Sequence, residues 1–307
     1  GNNAKIKCGM RGVRNELKRT LLGTYSEKEL MDIALLPYRA MLGCHNAVFS
    51  KDSRRSAVSL GVAGLYGWVG HGILDHISDR DTDASKLPHG LWFANEAHYT
   101  YNECATGTGM KKIINDLYRR MDRACVWERA NCIAGNVKNE FKKPLVPPYA
   151  DFMVIGERSI GHAIGVIMAI DAVTDVSAGQ IEILINYFLY YLTARQMNDD
   201  AHDWIYDYEK GRINSACSLL IKICQQKSRN VPDMEELKRL FWGKGITKIV
   251  EEIEKNIKRA ERCAKELSCI MDVEFFENIL RPIRGSAQKA CLEQSKISQF
   301  IGAFKQN

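Results

Sequence analysis

An all-α fold is what the sequence predicts, on three observations. Apolar residues recur at helical spacing in almost every segment, only seven prolines interrupt 307 residues, and no stretch of useful length alternates apolar with polar residues. No hairpin turn signal appears either. The chain is long enough to bury a sizeable core, and no internal repeat, low-complexity tract or linker divides it. Residues 1–307 therefore read as one large helical domain.

The elements follow in order. Ser26 opens the first helix, with Glu29 completing a capping box, and Leu30, Ile33, Ala34 and Leu35 carry it toward Cys44. A second helix runs from about Ser53 to Asp79 over Val58, Val62, Leu65, Trp68 and Val69. Arg80 to Pro88 reads as a polar loop. Gly107 to about Val137 is helical and stops before Lys142 to Pro148, the strongest break in the chain. Asp151 to Val173 keeps the helical period but holds Gly156, Gly161 and Gly165. An interior glycine costs roughly 1 kcal/mol relative to alanine, so this grouping marks a close approach or a deliberate break. Ile181 to Leu192 is an apolar run without a turn signal, a buried helix leading into the polar stretch Arg195 to Asn214. Ser215–Gln226, Pro232–Trp242, Ile246–Met271 and Glu274–Leu280 follow, and an amphipathic helix, Ser286–Phe304, closes the chain.

Composition bounds the function. Hydrophobic content of 46% and charged content of 26% are ordinary for a globular protein. The net charge of +6 comes from dispersed Lys and Arg, which suits an anionic ligand and is too diffuse for nucleic acid. No run of eighteen apolar residues occurs, so no stable membrane insertion is expected. Gly1 to Lys7 lack the apolar core of a signal peptide, and the missing initial Met reads as a trimmed end. The ten cysteines form no C-x-x-C pair. Cys125 with Cys132, and Cys217 with Cys224, recur as small core residues do, so buried reduced thiols in a cytoplasmic protein are expected rather than zinc ligands or disulfides.

Chemistry concentrates in Arg195 to Asn214. At 100° per residue, Asp199, Asp203 and Asp207 lie at about 0°, 40° and 80°, with Asp200 at about 100°, Gln196 at about 60° and Lys210 at about 20°. An acidic run is ordinarily a solvated helix face. Here the acids share one stripe beside Tyr190, Tyr191, Trp204 and Ile205, where like charges repel and desolvation is costly, so a cation belongs among them. Clustered carboxylates suit a hard divalent ion such as Mg²⁺. A second stripe, His71, Asp75 and Asp79, ends the helix from Ser53, with Trp68 beneath it and His76 about 100° from Asp75. Alone it is a weak signal, since such acids usually meet solvent and such histidines usually sit in a core. Helix bundles, however, build metal sites from side chains on facing helices.

Together these stretches resemble a class I isoprenoid synthase, the superfamily of prenyl diphosphate synthases and terpene cyclases. Leu74 to Asp79, followed by Leu87 and Pro88, resembles the first aspartate-rich motif, with His76 in place of the second Asp of DDxxD. Asn198 to Gly211 is similar to the second motif. The spacing of Asp199, Asp203 and Asp207 also resembles the cyclase metal triad, though Asp203 and Asp207 depart from its usual residue types. Glu157 to His162 resembles the broken helix that greets the departing diphosphate, with Arg158 about where cyclases carry a diphosphate-sensing arginine.

The resemblance implies an all-α bundle around a central cavity, across which the two motifs face each other. It implies metal ligation by Asp75, Asp79, Asp199, Asp200, Asp203 and Asp207, with Mg²⁺ or Mn²⁺ as the cofactor. Arg158 and Lys210 would clamp the diphosphate, and His71, His76, Ser159, Gln196, Trp68, Phe188 and Asn214 would contact substrate. Trp92, Phe93, Phe152, Tyr191 and Trp204 are available to shield a carbocation, although aromatics at such positions are ordinarily plain core. Arg281 and Arg284 are candidates to close over the site. The implied partner is a prenyl diphosphate, with a homodimer as one option for assembly. Elongating synthases usually carry two Arg just beyond the first motif; Arg80 to Lys86 holds no such pair, which favours a cyclase or other single-substrate synthase over chain elongation. A metal phosphohydrolase built on His202-Asp203, and a non-catalytic lipid-binding relative, are the other readings.

Overall fold

A computed structural model describes residues 26–105, 107–133, 148–225 and 233–304, with side chains to 296. The opening residues, the break expected over 142–147 and the chain from 134 to 137 lie outside the described residues. The helices are α1 Glu27–Leu42, α2 Lys51–Ser78, α3 Leu87–Cys104, α4 Thr108–Asn131, α5 Met153–Ser159, α6 Ile164–Asp171, α7 Ala178–Glu209, α8 Ser215–Gln225, α9 Met234–Leu240, α10 Ile246–Glu266 and α11 Val273–Phe304. Among the described residues there is no strand, and Ile133 and Arg212 form an isolated bridge. The all-α expectation holds.

The chain gathers into two compact units, one of residues up to Asn115 with Gly161–Val176, the other of Asp116–Ile160 with Ser177–Asn307. In the first, α1 starts at the expected box: Ser26 Oγ accepts from Glu29 N, and Glu29 Oε2 accepts from Ser26 N. Ser50 and Ser53 build a second box, so α2 begins two residues before the expected start. The segment expected as a polar loop is partly ordered. Asp83 caps a 3₁₀ turn over Ala84–Lys86, and α3 starts at Leu87 with Pro88 in its first turn, where a missing N–H costs nothing. The apolar helix α6 packs on α1 and α2, every residue from Ile164 to Ile170 buried. A 3₁₀ turn over Ile160–Ala163 separates it from α5, the break that the glycines foretold.

In the second unit α7 is the spine. Tyr187 on its buried face donates to the Phe276 carbonyl at 2.8 Å, and the two rings sit 4.4 Å apart. Helix α10 packs along α7. Helix α4 ends at Asn131, short of the expected Val137, where Asn131 Nδ2 donates to the Trp127 carbonyl. Cys132 therefore lies just past the helix and is buried, whereas Cys125 is exposed, against expectation. Burial pushes the thiols of Cys44 and Cys132 up to about 11, which suits inert core residues. Helix α9 ends at Leu240 in a π turn, Phe241–Gly245, rather than continuing to Trp242. Helix α10 gives way to a 3₁₀ turn at Leu267–Cys269 instead of reaching Met271. The two helices expected over 274–304 are one, with Pro282 inside it. Phe276, Leu280, Ile283 and Ala287 are buried on both sides of that proline, so packing outweighs the lost hydrogen bond.

By length and composition α2 and the Met153–Asp171 stretch could each cross a membrane, contrary to expectation. Their apolar windows are 44% and 67% buried inside the protein, and core helices of soluble proteins pass the same test. Gly156 brings α5 against α7: a Cβ there would stand 2.5 Å from the Leu189 carbonyl oxygen and against Thr193 Oγ1. Backbone cannot give way as a side-chain tip can. Gly156→Ala should therefore lower stability by roughly 1–3 kcal/mol in urea unfolding, the usual range for overpacking.

Candidate functional site

The acidic end of α7 is organised by the turn that follows it. Lys210 ends the helix, and Gly211 at φ 76° takes the left-handed conformation that glycine adopts freely. Gly211 N donates to the Tyr208 carbonyl at 3.0 Å and Arg212 N to the Asp207 carbonyl at 2.8 Å, a Schellman pair. The chain then reverses, and Ile213 N anchors it to the Cys132 carbonyl at 2.8 Å.

The reversal returns donors to two of the four aspartates. Asp207 Oδ1 accepts from Arg212 Nε at 3.0 Å and Nη2 at 2.7 Å, while Oδ2 accepts from Asn214 Nδ2 at 2.8 Å. Asp200 is buried, 8% exposed; its Oδ2 accepts from Ser215 N at 2.9 Å and Oγ at 2.6 Å, its Oδ1 from Gln196 Nε2 at 3.0 Å. Burial pushes this carboxyl up to about 6, against the opposing pull of Ser215, Gln196 and Arg158. Asn214 also caps α8, its Oδ1 accepting from Cys217 N. Gln196 and Asn214, expected to contact substrate, hold these aspartates.

Asp199 and Asp203 differ. Asp199 is half-buried and Asp203 exposed. Burial raises the Asp199 carboxyl; Arg195 and Asn198 lower it, and Asp203 raises it again. A half-buried carboxylate with a second one beside it favours a positive ion. Mg²⁺ takes one or two carboxylates and completes its shell with water and phosphate, so these residues fit such an ion. Among the described residues no group of three His, Cys, Asp or Glu could hold a metal.

The cations are engaged. Arg158 Nη1 donates to Glu128 Oε2 at 2.6 Å, and next to it Arg120 holds Glu157 at 2.9 Å. Both pairs join α4 to α5, and Ser159 is half-buried in the last turn of α5. Lys210 Nζ lies 5.2 Å from the Tyr206 ring centroid and Arg212 Cζ 5.4 Å from it. Arg284 pairs with Glu261. Phe188 is buried against Tyr187, and Trp204 stacks on Phe241, so both fill core. His202 is exposed, with Nδ1 bonded to the Asn198 carbonyl of its own helix, which leaves the phosphohydrolase reading without support.

In the first unit Asp75 and His76 are exposed and Asp79, which caps α2, is half-buried. The His76 carbonyl accepts from Asp81 N at 2.8 Å and from Thr82 N at 3.3 Å, so its backbone anchors the following turn. One turn before Asp75, His71 meets His162 with ring centroids 6.3 Å apart, and Trp68 meets His162 at 4.8 Å. Sequence reasoning missed Glu128, Arg212 and Ser215. For Arg212 a signal existed: the glycine after a helix end announces a reversal that returns the next residues to the last turn.

No protein-family model matches the sequence, and no curated protein matches it. Solved structures are similar in shape. A geranylgeranyl pyrophosphate synthetase from the archaeon Geoglobus acetivorans aligns over 92% of this chain and 97% of its own, with a TM-score of 0.59 and 13% identity. A decaprenyl diphosphate synthase from Rhodobacter capsulatus aligns over 94% and 98%, at 0.58 and 10%. An octaprenyl pyrophosphate synthase from Helicobacter pylori aligns over 92% and 98%, at 0.53 and 12%. The chain thus has the all-α isoprenoid synthase fold, as the motifs implied.

The Asp200 carboxyl yields a pH signature. Its folded pKa, about 6, exceeds the ordinary 3.8, so ionisation opposes folding as pH rises through that window. The cost is on the order of 3 kcal/mol. Asp200→Asn cannot ionise. In EDTA its melting temperature should therefore gain on the wild type between pH 4 and about 6.5 and then level off; a constant difference across this range would contradict the assignment.

Proposed function

We propose that the chain is a divalent-metal-dependent isoprenoid synthase that ionises an allylic prenyl diphosphate and joins the resulting cation to isopentenyl diphosphate. One observation carries this reading: in a fold shared with prenyl diphosphate synthases, α7 ends with Asp199 and Asp203 beside two aspartates already satisfied by Ser215, Arg212 and Asn214. Asp199 and Asp203 in one unit, and Asp75 and Asp79 in the other, are assigned as the metal-holding residues. Asp200 and Asp207 keep the end of α7 in place.

Bound Mg²⁺ or Mn²⁺ would take up the charge that grows on the leaving diphosphate. Arg158 and Lys210 add cationic donors, and Arg158 exchanges Glu128 for phosphate oxygens. The allylic C–O bond breaks and its electron pair leaves with diphosphate. The double bond of isopentenyl diphosphate then attacks the cation, and loss of a proton restores an allylic diphosphate. Trp68 offers a π face that favours positive charge. The substrate is taken up in the cytoplasm by a protein with no stable membrane insertion and no nucleic-acid partner, and a homodimer accords with this reading.

A second reading has its own support. Arg80 is the only arginine between Asp79 and Lys86, where elongating enzymes usually carry a pair, so ionisation without a second substrate, as in a cyclase, is the alternative.

Labelled geranyl and farnesyl diphosphates with Mg²⁺ separate the two. Elongation gives longer diphosphates only when isopentenyl diphosphate is added, a cyclase gives hydrocarbons or alcohols without it, and no metal-dependent turnover under either condition sinks both. Asp199→Ala should cut kcat by about 100-fold or more with little change in melting temperature. Asp207→Ala should instead lower the melting temperature, because it strands the Arg212 guanidinium.

A further inference from the structure

A groove of about 780 Å³ is lined by residues of α10 and by Cys291 of α11, none of them assigned above to catalysis. Val250 and Cys291 give it apolar surface, and charged side chains of α10 line the rest. Some of those charges are spoken for. Lys248 holds Glu251 at 2.6 Å, Lys255 holds Glu252 at 3.2 Å, and Arg284 holds Glu261. What remains is lopsided: Lys258, Arg259, Arg262 and Lys265 stand beside Glu254, and the other two lining carboxylates, Glu251 and Glu261, are the ones already paired.

A run of charge on a helix is ordinarily a solvated face. Two features set this one apart. It lines a wide, shallow depression, and the Arg259 guanidinium packs on the Tyr190 ring, with Cζ 5.6 Å from the centroid. Along the helix axis Lys258, Arg262 and Lys265 are separated by about 6 and 4.5 Å, at 1.5 Å per residue. Cations so close repel one another, and an anion with several charges in a row relieves the repulsion at each position. Arginine also offers planar, paired donors that match phosphate oxygens.

We propose that this groove binds a soluble ligand carrying two or three consecutive phosphates, with Val250 and Cys291 accommodating its organic part. Binding here uses no metal, because the groove supplies the positive charge itself. That separates it from any diphosphate held by Asp199 and Asp203, and the proposal stands whether or not the chain is a synthase.

The test is calorimetric titration of the full chain with inorganic tripolyphosphate, in EDTA and low salt. Saturable one-to-one binding is expected. Lys258→Ala/Arg262→Ala should weaken it at least tenfold, as should Lys258→Ala/Lys265→Ala, whereas Lys51→Ala/Arg54→Ala, with the same charge change on exposed residues of α2, should leave it intact. All the substituted groove residues are exposed, and melting temperatures verify that each variant folds. No saturable binding in EDTA overturns the proposal. So does equal weakening by the α2 variant, which would mean net charge alone, or binding only to vesicles carrying phosphatidic acid.

Discussion

The constraint on which the rest of the second unit depends is a carboxylate, Asp200, placed where water cannot reach it. An unpaired charge there would be expensive, and the fold meets it with the Ser215 backbone N–H, the Ser215 hydroxyl and the Gln196 amide. Two of those donors belong to the first residue of α8, so the carboxyl locks the start of one helix onto the end of another. Asp207 repeats the device with Arg212 and Asn214. Half of the acidic stripe is therefore structural, and its rigidity decides where the other half points.

The same economy governs the cations. Arg158 and Arg120 are the partly buried links between α4 and α5, while Lys210 and Arg212 share the Tyr206 ring. On the proposed function, a diphosphate approaching this end of the unit would meet arginines that already have partners and would compete with Glu128 for Arg158. Binding is then an exchange between comparable ion pairs. The free energy that it releases is the difference between two interactions rather than the whole of one.

Much of this was legible in the residues. The Ser26 box, the long apolar approach to the acidic stretch and the interruption near Gly161 all come from local chemistry, which is why the helices starting at Ser26 and the break after Ser159 sit where they were expected. The misses share a cause. Leu87 starts a helix, the helix through Pro282 is unbroken, and Cys125 is exposed because of contacts and solvent access that depend on packing, which no local window contains. Among the aspartates, angular position grouped Asp207 with Asp199 and Asp203. It could not reveal that the chain would double back at Gly211 and occupy both Asp207 oxygens.

That doubling back has a consequence for how this region can change over time. From Asp207 to Ser215 the backbone has one length that lets Arg212, Asn214 and Ser215 each arrive opposite a waiting oxygen. Adding or deleting a residue would misalign three partnerships together, so variation here is confined to substitution.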